Sequence, residues 1–151
     1  PTTIAEQLIQ DALDALKSRE LMRAQGYLDR SRRLMQRVGI KPIVKGDHIY
    51  VQAKVNEQKN LLQQAATEYL NYQRLSPTQQ RPEYLADAKS TLNRLALRMG
   101  RIQIFTMRDG TCQLAEEYYL PPGDQVISLG PGQTKRISVY AGITTPVRVC
   151  Q

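Results

Sequence analysis

The chain has 151 residues, of which 41% are hydrophobic, so it can form one domain or two small ones with buried cores. It has no tryptophan and a single phenylalanine, Phe105, so its eight tyrosines supply most of the aromatic surface. No apolar run approaches the roughly 20 residues of a membrane-spanning helix, which excludes such a segment within this sequence. The sequence begins at Pro1 without an initiator methionine or an apolar leader, so we expect a trimmed or mature chain. A removed signal peptide or lipid anchor would leave no trace in it.

The formal net charge is +7, and most of the excess lies at the start of the chain. Residues 1–45 carry nine lysines and arginines against five acids, a net charge of +4. Residues 46–100 have a net charge of +2 and residues 101–151 of +1. The positive excess therefore lies on the helical half, where Arg30, Arg32, Arg33 and Arg37 concentrate it.

Two amphipathic helices are predicted at residues 3–19 and 22–38, from apolar residues at helical spacing. Thr3 and Glu6 have the spacing of a capping box, and Gly39 suits a C-terminal cap. Residues 40–45 are predicted to be a connection. Three further helices are predicted at residues 47–58, 60–75 and 82–99.

One pattern of small and apolar residues occurs twice in the helical half, at an offset of 41 residues. Small residues let two helices approach closely, so each copy indicates a helical hairpin. Such hairpins stack, because one alone cannot bury its apolar face. The fifth helix is predicted to close the stack. The four pairs of equivalent positions are Ala12 and Ala53, Ala24 and Ala65, Leu28 and Tyr69, and Ser31 and Tyr72.

Beyond Gly100 the apolar period changes from 3.6 to 2, which predicts strands. Asp109-Gly110 indicates a hairpin turn, and further strands are expected at 111–116, 124–129, 134–140 and 145–150. The predicted fold class is therefore α+β in two domains. A five-helix array spans residues 1–99, and a small antiparallel β-sandwich or barrel spans residues 100–151.

The only cysteines, Cys112 and Cys150, both lie in the predicted β-domain. We favour a disulfide between the last strand and an early strand, with two free thiols as the alternative. The bond would close a loop of 39 residues and stabilise the domain by roughly 4 kcal/mol in the chain-entropy description. A disulfide predicts an oxidising compartment, such as the periplasm or the cell exterior.

The helical half resembles the tetratricopeptide repeat family over roughly residues 4–98. Ala65, Tyr69 and Pro77 follow that family's A-x3-F-x7-P spacing, and Ala53 falls at its small position in the first helix of a repeat. The 41-residue offset exceeds the family's usual period, and the connection at 40–45 is expected to absorb the excess.

The resemblance implies that the first helix of each hairpin lines a concave, partner-binding groove. The groove residues that it implies for the second hairpin are Asp47, Tyr50, Lys54 and Glu57. Those that it implies for the first hairpin are Glu6, Ile9, Leu13 and Leu16.

The β half is similar to small modules of bacterial envelope proteins, the PEGA and carboxypeptidase regulatory-like domains. The similarity rests on three strings at 120–123, 126–129 and 139–142, followed by Thr144 and Thr145. Such modules act as adhesive or spacing domains of exported proteins, so the resemblance implies a periplasmic or otherwise extracytoplasmic protein. A membrane anchor upstream of Pro1 is compatible with this interpretation.

No pattern in the sequence indicates catalysis, a metal site or a cofactor. The single histidine, His48, is expected at the surface or in a helix cap. Glu116 and Glu117 would point to opposite faces of a strand, so they do not form an acid–base pair. Gly130-Pro131-Gly132 lacks the Lys-Ser/Thr that follows a phosphate-binding loop. We therefore predict a protein that is not an enzyme.

Arg30, Arg33 and Arg37 are spaced to share one face of the second helix. That face is either a solvated surface or a basic surface for an acidic protein or an anionic polymer. Nucleic acid is disfavoured, because its binders interleave aromatic residues for base stacking and only Tyr27 is near.

These observations predict a non-enzymatic scaffold of a bacterial cell-envelope assembly of the secretion, pilus or motility type. Its hairpins would dock a protein partner. One alternative is a module that binds an envelope polymer, either peptidoglycan or another anionic glycan. The other is a cytosolic basic adaptor with free thiols.

Overall fold

The structure is a computed structural model that describes residues 3–150. The expected chain start at Pro1 lies outside this range. Contacts within the chain form two compact units that divide after Leu92, inside the fifth helix.

The first unit is built from α-helices, with one turn of 3-10 helix at Pro77–Gln79. Thr3 caps the first helix, because its Oγ1 accepts a hydrogen bond from the backbone N–H of Glu6 at 3.2 Å. The five helices are α1 (Ile4–Lys17), α2 (Leu21–Met35), α3 (Pro42–Gln58), α4 (Leu62–Gln73) and α5 (Pro82–Ala96).

Helices α1 and α2 form one hairpin, and α3 and α4 form a second. Each of the eight positions of the repeated pattern is completely buried, at 0% exposure. The repeat therefore marks the side chains at which the helices meet, and the prediction of two stacked hairpins is confirmed. Burial of these positions explains the small residues, since a larger side chain would separate the helix axes.

Helix α3 begins five residues earlier than predicted, so the expected connection at 40–45 is wrong. Pro42 occupies the first turn, where its missing N–H costs no hydrogen bond and its φ is already helical. Gly46, expected at a helix start, therefore lies inside α3. A Cβ at Gly46 would stand 1.7 Å from the backbone oxygen of Gln79, so only glycine permits the 3-10 turn to pack here.

Helix α2 ends at Met35 rather than at residue 38, so Gly39 does not form its C-cap, which is Gln36. Gly39 adopts a positive φ of 94° in the following turn instead. Val38, expected to face inward, is fully exposed because it lies outside the helix.

The second unit holds five strands. Strands β2, β1 and β5 form one sheet in that order, and β3 and β4 form another. The strands are β1 (Gly100–Arg108), β2 (Thr111–Leu120), β3 (Gly123–Gly130), β4 (Gln133–Val139) and β5 (Thr144–Arg148). Strand β2 ends four residues later than predicted and β3 is longer by one residue at each end, whereas β4 and β5 each begin one residue earlier and end one and two residues earlier than predicted.

Asp109 and Gly110 both have positive φ, at 53° and 79°, and join β1 to β2 in the predicted hairpin. Six aliphatic side chains from both sheets form the core between them. The fold class, with helices first and strands second, is confirmed. One pairing differs from an all-antiparallel arrangement: β5 runs parallel to β1. The core residues are Ile102, Ile104, Ile127, Ile137, Val139 and Val147.

Candidate functional site

A cleft of about 570 Å³ opens where α1, α3 and the start of α5 come together in the first unit. Ile9 and Val44 form buried parts of its wall. Three of the four residues expected in the groove of the first hairpin line it, namely Glu6, Ile9 and Leu13, while Leu16 does not. This is the side of the hairpins on which the resemblance places a partner.

Charged side chains surround the apolar wall of this cleft. Lys41 Nζ stands 3.9 Å from Glu6 Oε1, which is buried and accepts no hydrogen bond from the described residues. Across the cleft, Arg81 donates two hydrogen bonds to Asp47, at 2.8 and 2.7 Å. The cleft thus combines an apolar wall with fixed charges of both signs, which suits a segment of protein chain more than a small apolar ligand.

The four residues predicted for the second hairpin's groove all lie on α3, namely Asp47, Tyr50, Lys54 and Glu57. The first three contact α5 or the segment before it, and Glu57 contacts Tyr69 of α4. The Tyr50 ring stacks on that of Tyr84, with centroids 4.0 Å apart and planes 7° from parallel. Tyr50 retains only 6% exposure, so it cannot also grip an extended peptide in this arrangement. Of the four, only Asp47 lines the cleft.

Lys54 and Glu57 belong to a hydrogen-bonded cluster under α5. Tyr50 Oη donates to Asp87 Oδ2 at 2.5 Å, and Lys54 Nζ reaches the same oxygen at 2.5 Å. Tyr69 Oη donates to Glu57 Oε1 at 2.6 Å. The predicted groove residues are thus brought together. Tyr50 and Lys54 hold α5 against α3 through Asp87, and Glu57 binds α4 through Tyr69.

Burial and hydrogen bonding shift the pKa values of this cluster. Burial, with the hydrogen bond to Asp87, raises the pKa of Tyr50 far above its ordinary range, so it stays a donor. Burial also acts to raise the pKa of Asp87, but hydrogen bonds from Lys54 and Tyr50 outweigh it and lower that pKa. Asp87 therefore remains a carboxylate that binds α3.

His48 is buried in the middle of α3, at 8% exposure, so the expectation of a surface or cap histidine is wrong. The early start of α3 places it inside the helix, where it faces α2. Its Nδ1 lies 2.9 Å from Ser31 Oγ. Burial, aided by the charge of Arg32, lowers the pKa of His48 to about 4. Ser31 has no exposed surface, so no substrate reaches this Ser–His pair.

The predicted basic surface is split by the early end of α2. Arg30 and Arg33 are exposed on the helix, whereas Arg37 follows the C-cap and does not share their helical face. Arg30 lies over the Tyr27 ring at 5.9 Å. Among residues 3–150, none of the three arginines forms an ion pair.

Cys112 and Cys150 lie at disulfide distance in the second unit, with their Cα atoms 5.9 Å apart. Cys112 is at the start of β2 and Cys150 follows β5, so the pair connects the two strands that flank β1. It closes the open end of the three-stranded sheet.

Sequence reasoning missed the side chains that α5 and the segment before it contribute, Arg81, Tyr84 and Asp87. A signal for them was present: α3 and α5 both begin with a proline, Pro42 and Pro82, 40 residues apart, and Asp47 and Asp87 keep the same offset.

No protein-family model matches the chain, and no curated protein or solved structure shows significant similarity to it. Within residues 3–150, no group of three or more His, Cys, Asp and Glu side chains is placed to hold a metal ion. In the same range, no helix has the length and apolarity needed to cross a membrane.

Proposed function

We propose that the protein is a non-enzymatic interaction scaffold of a bacterial cell-envelope assembly and that it docks a protein partner in the cleft between α1, α3 and α5. The observation that carries the proposal is this cleft, with its apolar wall and paired charges. The tetratricopeptide resemblance supports it, since that family binds chain segments on the same side of its hairpins.

A capture experiment with two matched leucine variants tests the docking surface. Leu13 lines the cleft, whereas Leu34 is an equally half-buried leucine on α2 outside it. The immobilised protein should enrich specific proteins from a solubilised envelope fraction. Leu13→Glu should reduce that enrichment about tenfold, as loss of a central apolar anchor does, and Leu34→Glu should leave it intact. Thermal unfolding checks that both variants fold.

If no envelope protein is enriched, or if both variants lose the same proteins equally, the scaffold proposal is wrong. The extracytoplasmic location is tested separately by intact mass after alkylation. Two alkyl groups gained only after reduction support an oxidising compartment. Two groups gained by the native, unreduced protein would favour the cytosolic adaptor.

The exposed arginines on α2 favour a second candidate, a module that binds an anionic envelope polymer. Arg30 and Arg33 are exposed side by side, and no carboxylate in the described part of the chain neutralises them. The protein should then pellet with purified cell wall in a salt-sensitive manner. Replacing Arg30, Arg33 and Arg37 with glutamine should release it, whereas replacing Arg23, which already pairs with Glu20 at 3.0 Å, should not.

A further inference from the structure

A second cleft, of about 490 Å³, lies on a different face of the helical unit, along α2, α3 and α4. Its base is an amide cluster formed by Gln25, Gln52 and Asn56. The Gln25 and Gln52 side chains bond each other reciprocally, at 3.1 and 2.8 Å, and Gln52 also donates to Asn56 at 3.1 Å. Gln52 and Asn56 are more than nine-tenths buried, so the cluster is a fixed part of the hairpin contact.

Two cations flank this amide cluster. Arg32 donates to Gln52 Oε1 at 3.1 Å, and Lys59 donates to Gln25 Oε1 at 3.1 Å. An amide oxygen accepts a hydrogen bond but does not neutralise a charge. In the described part of the chain, no carboxylate lies within ion-pair distance of Lys59, and Arg32 has only the exposed Asp29, at 3.4 Å.

The hydrogen bonds of the cluster also leave donors for a ligand. Gln52 uses both donors and its acceptor within the cluster, so it fixes the geometry. Asn56 Nδ2 makes no hydrogen bond among residues 3–150, and Lys59 retains further N–H groups. One acid, Glu68, also lines the cleft; burial raises its pKa, although the charge of Arg32 opposes this. The cleft is thus rich in donors and carries a positive charge.

We propose that this cleft binds an acidic segment of a partner protein, with Arg32 and Lys59 holding carboxylates and the amide cluster fixing their positions. Gln25 and Gln52 use their donors within the chain, so Asn56 Nδ2 is the amide group left to donate to a carboxylate or a peptide C=O. The only aliphatic side chain along the cleft is Leu61, and no aromatic ring lines it to stack against a base or a sugar. The site is separate from the first cleft, so the outcome of its test does not depend on the docking surface proposed above.

The test is fluorescence anisotropy of a labelled hexaglutamate peptide with the whole protein. Arg32→Gln and Lys59→Gln should each weaken binding about tenfold, the effect of losing one charge-assisted hydrogen bond. Lys17→Gln and Lys89→Gln remove the same charge from exposed positions on α1 and α5, away from the cleft, and should change binding less than twofold. Arg32→Lys should retain most of the affinity, because it keeps the charge.

Three outcomes would overturn the proposal. The first is that the peptide does not bind. The second is that all four glutamine variants weaken binding equally, which would mean that only the net charge of the protein matters. The third is that oligogalacturonate displaces the peptide and binds more tightly, with the same dependence on Arg32 and Lys59, which would assign the cleft to a glycan. Far-ultraviolet circular dichroism confirms that each variant is folded.

Discussion

The contact between the two hairpins and the contact between the second hairpin and α5 use different chemistry. In the first, Ser31 and His48 form a buried pair beside a cluster of amides. In the second, Tyr50 stacks on Tyr84 beneath an ion-paired rim. One contact therefore depends on side-chain hydrogen bonds to amide and hydroxyl groups, and the other on aromatic area and ion pairs.

Equivalent residues of the repeat produce this difference. Ser31 and Tyr72 occupy the same position and both are fully buried. The short Ser31 leaves room for His48 of the next helix. The longer side chain of Tyr72, on α4, extends to the segment before α5, where its hydroxyl accepts a hydrogen bond from the backbone N–H of Arg81 at 2.8 Å. Ser31 therefore pairs with a side chain of the next helix, whereas Tyr72 bonds the backbone of the segment before α5.

The largest effect should come from breaking the second contact at its closest approach. Gly46→Ala would place a Cβ against the backbone oxygen of Gln79, which cannot rotate away as a flexible side chain would. We expect a loss of about 3 kcal/mol in the free energy of unfolding, the upper end of overpacking effects. Urea denaturation measures it, and a loss below about 0.5 kcal/mol would show that the turn is not held there.

The next effect concerns the first contact and depends on pH. Folding lowers the pKa of His48 from 6.5 to about 4, so between these values the unfolded chain binds more protons than the folded one. Stability should fall as the pH drops from 6.5 towards 4, by about 2–3 kcal/mol from this residue, and then level off. The measurement is the unfolding free energy against pH.

The matched variant is His48→Gln, which keeps a polar group near Ser31 but does not titrate. Its stability should fall less steeply than that of the wild type over this pH range. Parallel curves for the two proteins would mean that His48 does not cause the acid sensitivity.

A smaller effect should follow from the ion pair at the second contact. Arg81→Ala leaves the Asp47 carboxylate, whose side chain is only 12% exposed, without its partner. We expect a loss of about 2 kcal/mol, less than for a fully buried pair because Arg81 itself is 40% exposed. A double-mutant cycle with Asp47→Ala should recover part of the loss.

The control for this cycle is Arg23→Ala, which breaks an exposed pair with Glu20 on α2. That variant should lose no more than about 0.5 kcal/mol. If the two arginine variants lose the same stability, burial of Asp47 does not contribute.

The smallest effect should have the opposite sign. Gly26 lies in the middle of α2, and a Cβ there would meet nothing within 4 Å. Gly26→Ala should therefore stabilise the protein by about 0.5–1 kcal/mol, because alanine loses less conformational entropy in a helix. Thermal unfolding measures the change, and a destabilised variant would indicate an unseen contact on this face. Comparing Gly26→Ala with Gly46→Ala distinguishes a glycine that packing does not require, Gly26, from one that it does, Gly46.

The sequence by itself determined the features that depend on near neighbours along the chain. The Thr3 cap, the turn at Asp109-Gly110 and the change of period at Gly100 follow from a few adjacent residues. The repeated pattern also predicted the buried contacts correctly, since its positions recur at helical spacing within each hairpin. Local hydrogen bonding and periodicity are sufficient for such features.

Only the tertiary structure decided the features that depend on distant segments. The sequence places Gly46 at the predicted start of a helix, whereas in the structure it lies inside α3, where the turn at Gln79 packs against it. The sequence predicts an exposed His48, whereas α2 buries it, and nothing near Tyr50 in the sequence indicates that Tyr84 stacks on its ring. The parallel pairing of β5 with β1 likewise joins residues some 40 positions apart. The burial of a side chain depends on which distant segments of the chain pack against it, and the residues next to it in the sequence do not determine those contacts.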